Sequence, residues 1–263
     1  MPIKDWNMSA KAYRVEAEKI SFYRTTNHEL VTAAKIETGM SVVDLSCGSG
    51  STTRRILASV DGPCVIYAVD LSEEMLQQAK QTVESPSVHF ILARADDFSR
   101  YVPRHIDRVL CNAAFWHFPD PHAVLKEVHR ILKRGGIFLF NIPDQQFDFG
   151  DGKPSEMSQV VAACLHERPV ESECVLPFSN AVIQHLASDN GFVVADFKVI
   201  GIRLQPEDLI RFYSIPHVGA RHFPGKPLEE RYRILAEAFG SLSAERYPYY
   251  RWAQFAFSKP ILA

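Results

Sequence analysis

The stretch Val42–Gly50, VVDLSCGSG, decides the reading of this chain. Two β-branched residues lead through an acid into a turn of small residues, the pattern of a buried strand that ends abruptly. STTRRILASV follows with the period of a helix. A strand, a glycine-rich turn and a helix in that order bring backbone N–H groups and the positive end of the helix dipole to one point. Ser46 is the anomaly, because such turns usually open with a glycine. If the position demands φ > 0, serine is strained there; if it demands only a small side chain, serine costs little and could add a hydroxyl contact.

Working outward, the same alternation continues. CVIYAVDL is read as a strand, SEEMLQQAKQTV as a helix capped by Ser72 with two glutamates in its first turn, and VHFILA and IDRVLCNAA as further strands. Asp120 and Pro121 open a helix with one apolar face, Val124, Leu125, Val128, Ile131 and Leu132. It stops at KRGG, before the strand IFLFNI. Ahead of the turn, Tyr13, Ala17 and Ile20 mark an amphipathic helical segment. After the fifth strand come the helix NAVIQHLASDN and the strands FVVADFKVIGI and WAQFAFS. The expectation is a Rossmann-like α/β fold: a seven-stranded sheet, mostly parallel with the last strand antiparallel, flanked by helices and carrying a helical lid. One domain over residues 1–263 is expected, with a helical cap at 1–38, a ligand-binding core at 39–143, and lid insertions at 144–178 and 205–246.

In such a sheet the ligand lies at the carboxyl ends of the strands, where the strand order reverses. A turn of this kind needs a second element, an acid at the end of the next strand to accept both hydroxyls of a ribose. Asp70, ending the second strand, has that place.

VVDLSCGSGSTTRRI and YAVDLSEEMLQQAK together resemble the first two motifs of the class I S-adenosylmethionine-dependent methyltransferases. FILARADDF resembles their adenine-contacting turn. IDRVLCNAAFWHFPDPHAVLKEVHRILKRGGIFLF resembles the fourth strand, loop, helix and fifth strand of the small-molecule branch (methyltransferase type 11/25-like). The resemblance covers about Met40 to Pro143. It implies S-adenosylmethionine as cofactor and S-adenosylhomocysteine as product, with Asp44 supporting the loop and the ligand's amino group. Ser46, Cys47 and Gly48 would present backbone to the methionine part, and Asp70 would take the ribose hydroxyls. Leu71 and Met75 would lie against adenine, Ala95 would bond it through its N–H, and Asp96 or Asp97 would reach its exocyclic amine. Asn112 would offer its carbonyl near the methionine ammonium. Two positions depart from the family pattern: Ser46 replaces the first loop glycine, and Arg94 stands where many relatives have an acid.

Methyl transfer from a sulfonium is an in-line displacement, for which a protein supplies alignment, exclusion of water and, for a hydroxyl, removal of a proton. His117, in AAFWHFPDP, is the candidate general base; the alternative is a loop histidine that packs against the cofactor. His217 and His222 are secondary candidates. Phe147, Phe149, Phe178, Phe212, Tyr213, Phe223 and Tyr232, with Arg211 and Arg221, suggest an apolar acceptor pocket under the lid, or simply a lid core; Tyr13 and Tyr23 could close over the cofactor. The expected reaction is O-methylation of a small, largely apolar acceptor, fitting secondary metabolism. The alternatives are a methyltransferase-like protein that binds without methyl transfer, and a nicotinamide-dependent oxidoreductase, against which the missing G-x-G-x-x-G spacing counts.

Bulk composition narrows the partners. With 29 Lys and Arg against 31 Asp and Glu, the net charge is −2, so no basic footprint for nucleic acid is present. No apolar run approaches membrane-spanning length, and the first twenty residues do not read as a signal peptide. Five cysteines without ligand spacing read as reduced thiols, not a metal site. The expectation is a cytoplasmic protein with a small-molecule substrate, without nucleic-acid or membrane partner, monomeric or homodimeric.

Overall fold

The computed structural model describes residues 3–165, 177–220 and 222–261, with side chains of residues 3–5 excepted. Cys174 and Arg221 therefore lie outside the described residues. Seven strands form one sheet in the order β3-β2-β1-β4-β5-β9-β8, and β9 alone runs antiparallel to its neighbours. The strands are β1 (Ser41–Leu45), β2 (Val65–Asp70), β3 (Val88–Leu92), β4 (Ile106–Cys111), β5 (Leu132–Pro143), β8 (Val193–Arg203) and β9 (Tyr249–Ser258). A two-stranded parallel ribbon, β6 (Phe147–Asp148) with β7 (Phe178–Ser179), had no sequence signal of its own. The sheet is the expected one, and β5 begins earlier than IFLFNI because an irregularity between Ile106 and Arg108 of β4 lets Leu132 join the ladder.

The helices follow the same logic. Between strands lie α3 (Ser51–Ala58), α4 (Glu73–Thr82) and α5 (Pro121–Ile131), and Ser72 and Asp120 accept from the Met75 and Ala123 amides as N-caps. The N-terminal segment is two helices, α1 (Ile3–Ala17) and α2 (Ser21–Ala34), not one. The junction is held by Asp208, which accepts from both the Ser21 amide and its hydroxyl at 2.7 Å. After β5 come α6 (Glu156–Cys164) and α7 (Asn180–Asp189), and between β8 and β9 lie α8 (Pro206–Ser214), α9 (Pro216–Gly219) and α10 (Leu228–Gly240).

Apolar burial falls into distinct clusters. Two lie against the faces of the sheet, one built on Val43, Val109, Phe138 and Phe255, the other on Leu30, Val42, Ile66 and Leu110. A third joins α2, α6, α8 and α10 to the β8–β9 edge through Phe22, Met157, Leu209, Leu235, Phe239 and Trp252. This third core holds the expected lid segments beside the open end of the sheet.

Candidate active site

The strand order reverses between β1 and β4, whose registers pair Asp44 with Leu110. The next residues, Ser46 and Asn112, therefore leave the sheet side by side into a cavity of about 350 Å³. Ser46 has φ +60°, Gly48 +54° and Gly50 +87°. The turn thus demands left-handed backbone at Ser46, and the strained alternative is the one realised, at a cost of roughly 1–2 kcal/mol for a non-glycine residue. A Cβ on Gly48 would meet only the Tyr13 ring, at 3.8 Å, and would stand in the cavity. On Gly50 it would press on Ala79 and Val83 at 3.1 Å, so that glycine is there to seat α3 against α4.

Asp70 closes this end of the cavity. One carboxylate oxygen accepts the Gly48 amide at 2.8 Å and the other the Ser72 amide at 2.9 Å. Each oxygen keeps a lone pair for a ligand hydroxyl, and burial raises its pKa despite those bonds. Asp44 lies beneath the turn, not on the cavity wall; it accepts from the Thr53 hydroxyl at 2.6 Å, and burial raises its pKa to about 7. Cys47 is buried with its thiol pushed well up by burial, its amide donating to the Val69 carbonyl at 2.9 Å.

Leu71 and Met75 both line the cavity, the first exposed and the second buried, so Met75 is core and wall at once. Ala95 and Asp96 line it too. Asp96 is gripped by Arg94 through two bonds of 2.8 and 2.7 Å, which hold its carboxyl below the usual range. Asp97 pairs instead with Arg100 and is not on the wall. Arg94 thus provides the partner of Asp96, and Asp96, not Asp97, is the carboxylate on the cavity wall.

Trp6, Tyr13, Asn112 and His117 also line the cavity, Asn112 beside Ser46 and the Tyr13 ring against Gly48. His117 ends a short 3₁₀ turn, Phe115–His117, with its ring against Trp6 (centroids 5.6 Å apart). Burial, with repulsion from His217, lowers its pKa to about 4, so the imidazole is neutral near pH 7 and a weak base. The His217 ring lies tilted against Trp6, centroids 4.0 Å apart, while His222 packs on Tyr213 away from the cavity. Tyr13 sits edge-on to Tyr23, and burial pushes its phenol up to about 12.

Of the two readings of the aromatic residues in the insertions, the acceptor pocket is not the one found, since they pack into cores or lie exposed. Phe147 and Phe178 belong to the sheet core, Tyr213 and Phe223 to the third core, and Tyr232 is exposed; none of the seven lines the cavity. Arg211 is paired with Glu16 at 2.8 Å. The aromatic wall comes instead from α1 and the loop after β4: Trp6, Tyr13 and Phe118. Sequence reasoning missed Trp6 and also Asn141, a wholly buried β5 residue that accepts from the Ala113 amide at 2.7 Å. The one sequence signal for Asn141 was an amide inside an otherwise apolar strand, FLFNI. Among the described residues no cluster could hold a metal ion, and no helix is long and apolar enough to cross a membrane.

Residues 43–140 match the family model described as a methyltransferase domain, the span that carries the turn, Asp70, Asp96, Asn112 and His117. Over these residues the chain is similar to the class I S-adenosylmethionine-dependent methyltransferases. A malonyl-[acyl-carrier protein] O-methyltransferase from Priestia megaterium is 27% identical over 157 residues, 59% of this chain and 53% of that protein. A trans-aconitate 2-methyltransferase from Enterobacter sp. (strain 638) is 32% identical over 118 residues, 44% of each chain. The chain thus spans about half the length of these curated relatives. Among solved structures, phosphoethanolamine N-methyltransferase 2 of Haemonchus contortus, in complex with S-adenosyl-L-methionine, superposes with a TM-score of 0.57 over 90% of this chain and 52% of that one. At 20% identity that likeness speaks for the methyltransferase fold alone.

Proposed function

We propose that the protein transfers the methyl group of S-adenosylmethionine to an oxygen of a small, largely apolar organic acceptor. The observation that carries this reading is one cavity lined both by Asp70 and the Gly48 turn and by Trp6, Tyr13 and His117. The turn suits the cofactor: Asp70 offers free lone pairs for a ribose, Gly48 leaves room for the methionine part, and Asp96 with the Ala95 amide would meet the adenine. The wall of Trp6 and His117 suits the acceptor. The malonyl-carrier relative, named as an O-methyltransferase, supports oxygen as the acceptor atom.

When bound, the cofactor supplies an electrophilic methyl group on sulfur. This chain aligns the acceptor and keeps water out, and alignment is the larger contribution for a donor already reactive. His117, neutral and half-buried, accepts a hydrogen bond from the acceptor hydroxyl at its free ring nitrogen. With a pKa of about 4 it orients that hydroxyl and takes its proton only as the new C–O bond forms. Trp6 and Tyr13 of α1, with the loop after β4, wall the acceptor off from water.

Calorimetric titration with S-adenosylhomocysteine, NAD and NADH tests the cofactor, and methyl-labelled donor with a metabolite library tests the transfer. Binding of the first ligand alone, followed by label in an oxygen-bearing acceptor, is expected. Binding of a nicotinamide cofactor, or tight S-adenosylhomocysteine binding with no methylated product, overturns the reading.

A further inference from the structure

Asn141 is wholly buried on β5, yet its side chain reaches the mouth of β4 next door. Its carbonyl oxygen accepts the Ala113 amide at 2.7 Å, and its amide nitrogen donates to the Asn112 side-chain oxygen at 2.7 Å. The two bonds have a direction that cannot be reversed. A backbone N–H can only donate, so the Asn141 oxygen must face Ala113 and its NH₂ must face Asn112. Asn112 must then turn its own oxygen toward Asn141. What remains is the Asn112 NH₂, which has no partner among the described residues, on a side chain that lines the cavity.

We propose that Asn141 is a positioning residue that sets the hydrogen-bond polarity of the site, so that Asn112 presents an N–H donor to a carboxylate at the methionine end of the cofactor. The inference rests on the cofactor reading above. Asn112 leaves β4 beside Ser46, at the switch point and not at the adenine end. Among the described residues lining the cavity, Arg94 is the sole Lys or Arg, and it is occupied by Asp96. A carboxylate at the β1–β4 end therefore has neutral donors to meet, and the Asn112 amide is one already aimed there. The same bond from Asn141 holds Ala113 at φ +54°, a conformation alanine adopts only when its surroundings impose it. One buried asparagine thus fixes both the loop and the donor it carries.

The test compares S-adenosylhomocysteine with 5′-methylthioadenosine, which keeps the nucleoside and thioether but lacks the amino-acid carboxylate. Calorimetry is run on wild type, Asn141→Asp at pH 8, Asn141→Leu, Asn112→Ala, and Asn141→Asp combined with Asn112→Ala, with near-ultraviolet circular dichroism to confirm a native fold. In Asn141→Asp the introduced carboxylate still accepts from Ala113 but can only accept from Asn112, which forces that amide to flip its oxygen into the cavity. The expected result is a loss of roughly tenfold or more in S-adenosylhomocysteine affinity, the value of a hydrogen bond to a charged group. Affinity for 5′-methylthioadenosine stays within about twofold, and Asn141→Asp adds no loss on the Asn112→Ala background. Unchanged S-adenosylhomocysteine affinity in both Asn141 variants, equal losses for both ligands, or losses that add would overturn the proposal while leaving the cofactor reading intact. Wild type that binds neither ligand would overturn that reading, and the proposal with it.

Discussion

The turn that follows β1 and the helices that flank β9 place their aromatic and polar residues very differently. In the turn and its neighbours, nearly every singled-out residue reaches the cavity: Ser46, Gly48, Asp70, Leu71, Met75, Ala95, Asp96, Asn112 and His117 all line it. In the segments after β5 and β8, the aromatic residues pack into the sheet core or the third core, with Tyr232 exposed, and leave the cavity wall to Trp6 and Tyr13 of α1. Backbone groups and short polar side chains at strand ends bind in place, so their role is written locally. An aromatic residue in a helical segment buries wherever its neighbours leave a hole, and sequence does not say which hole.

The sharpest way to break this contrast is Phe239→Ala. The ring is wholly buried in the third core, and its loss is expected to cost about 3–5 kcal/mol of stability, read as a lower denaturant midpoint. Affinity for S-adenosylhomocysteine should stay within a few-fold. If affinity falls in step with stability, the two regions are not energetically separate.

Proton linkage distinguishes two groups within the first region. The Asp44 carboxyl, raised to about 7 by burial, lies above its unfolded value. It costs nothing below about pH 4, and the stability it permits there is lost as pH rises through about 7, a few kcal/mol in all. His117 has the opposite sign: its pKa, lowered to about 4, makes a contribution that is present above the unfolded value near 6.5 and lost as pH falls toward 4. Asp44→Asn should therefore flatten the loss of stability between pH 4 and 7, measured by urea unfolding. An unchanged slope would mean that Asp44 is ionised in the fold.

His117→Ala should lower turnover by no more than about 100-fold, less than the upper range of a general base, since a weak base mainly orients. The pH profile of kcat/KM should lack an ascending limb between pH 5.5 and 7.5; a limb there assigns His117 a base role with an ordinary imidazole pKa. The smallest effect is expected of Ser46→Gly, which relieves the left-handed strain and should stabilise by up to roughly 1 kcal/mol with S-adenosylhomocysteine affinity unaltered. A loss of affinity would instead assign the serine hydroxyl a ligand contact.

The sheet was legible because each strand ends in a turn signal and alternates with helices of short period; only β5, drawn back to Leu132 by a bulge, and the two-residue β6 and β7 escaped. The acid at Asp70 and the turn were legible together because their spacing brings them to one strand edge, where Gly48 bonds Asp70. Trp6 was not legible, since a tryptophan on an amphipathic helix carries no mark of which wall it faces. Asn141 was hidden for a related reason. Its partner loop lies 28 positions away at Ala113, and only the β4–β5 pairing puts them side by side.

The most direct test of the account is a calorimetric comparison of wild type and Asp70→Ala with S-adenosylhomocysteine, NAD and NADH. Asp70 bonds both the Gly48 turn and the cap of α4, so its removal would strip the proposed ribose site and loosen the turn together. The account predicts that wild type binds S-adenosylhomocysteine and neither nicotinamide, and that Asp70→Ala loses at least about 100-fold, near 2.7 kcal/mol. Equal affinity in wild type and Asp70→Ala would contradict it.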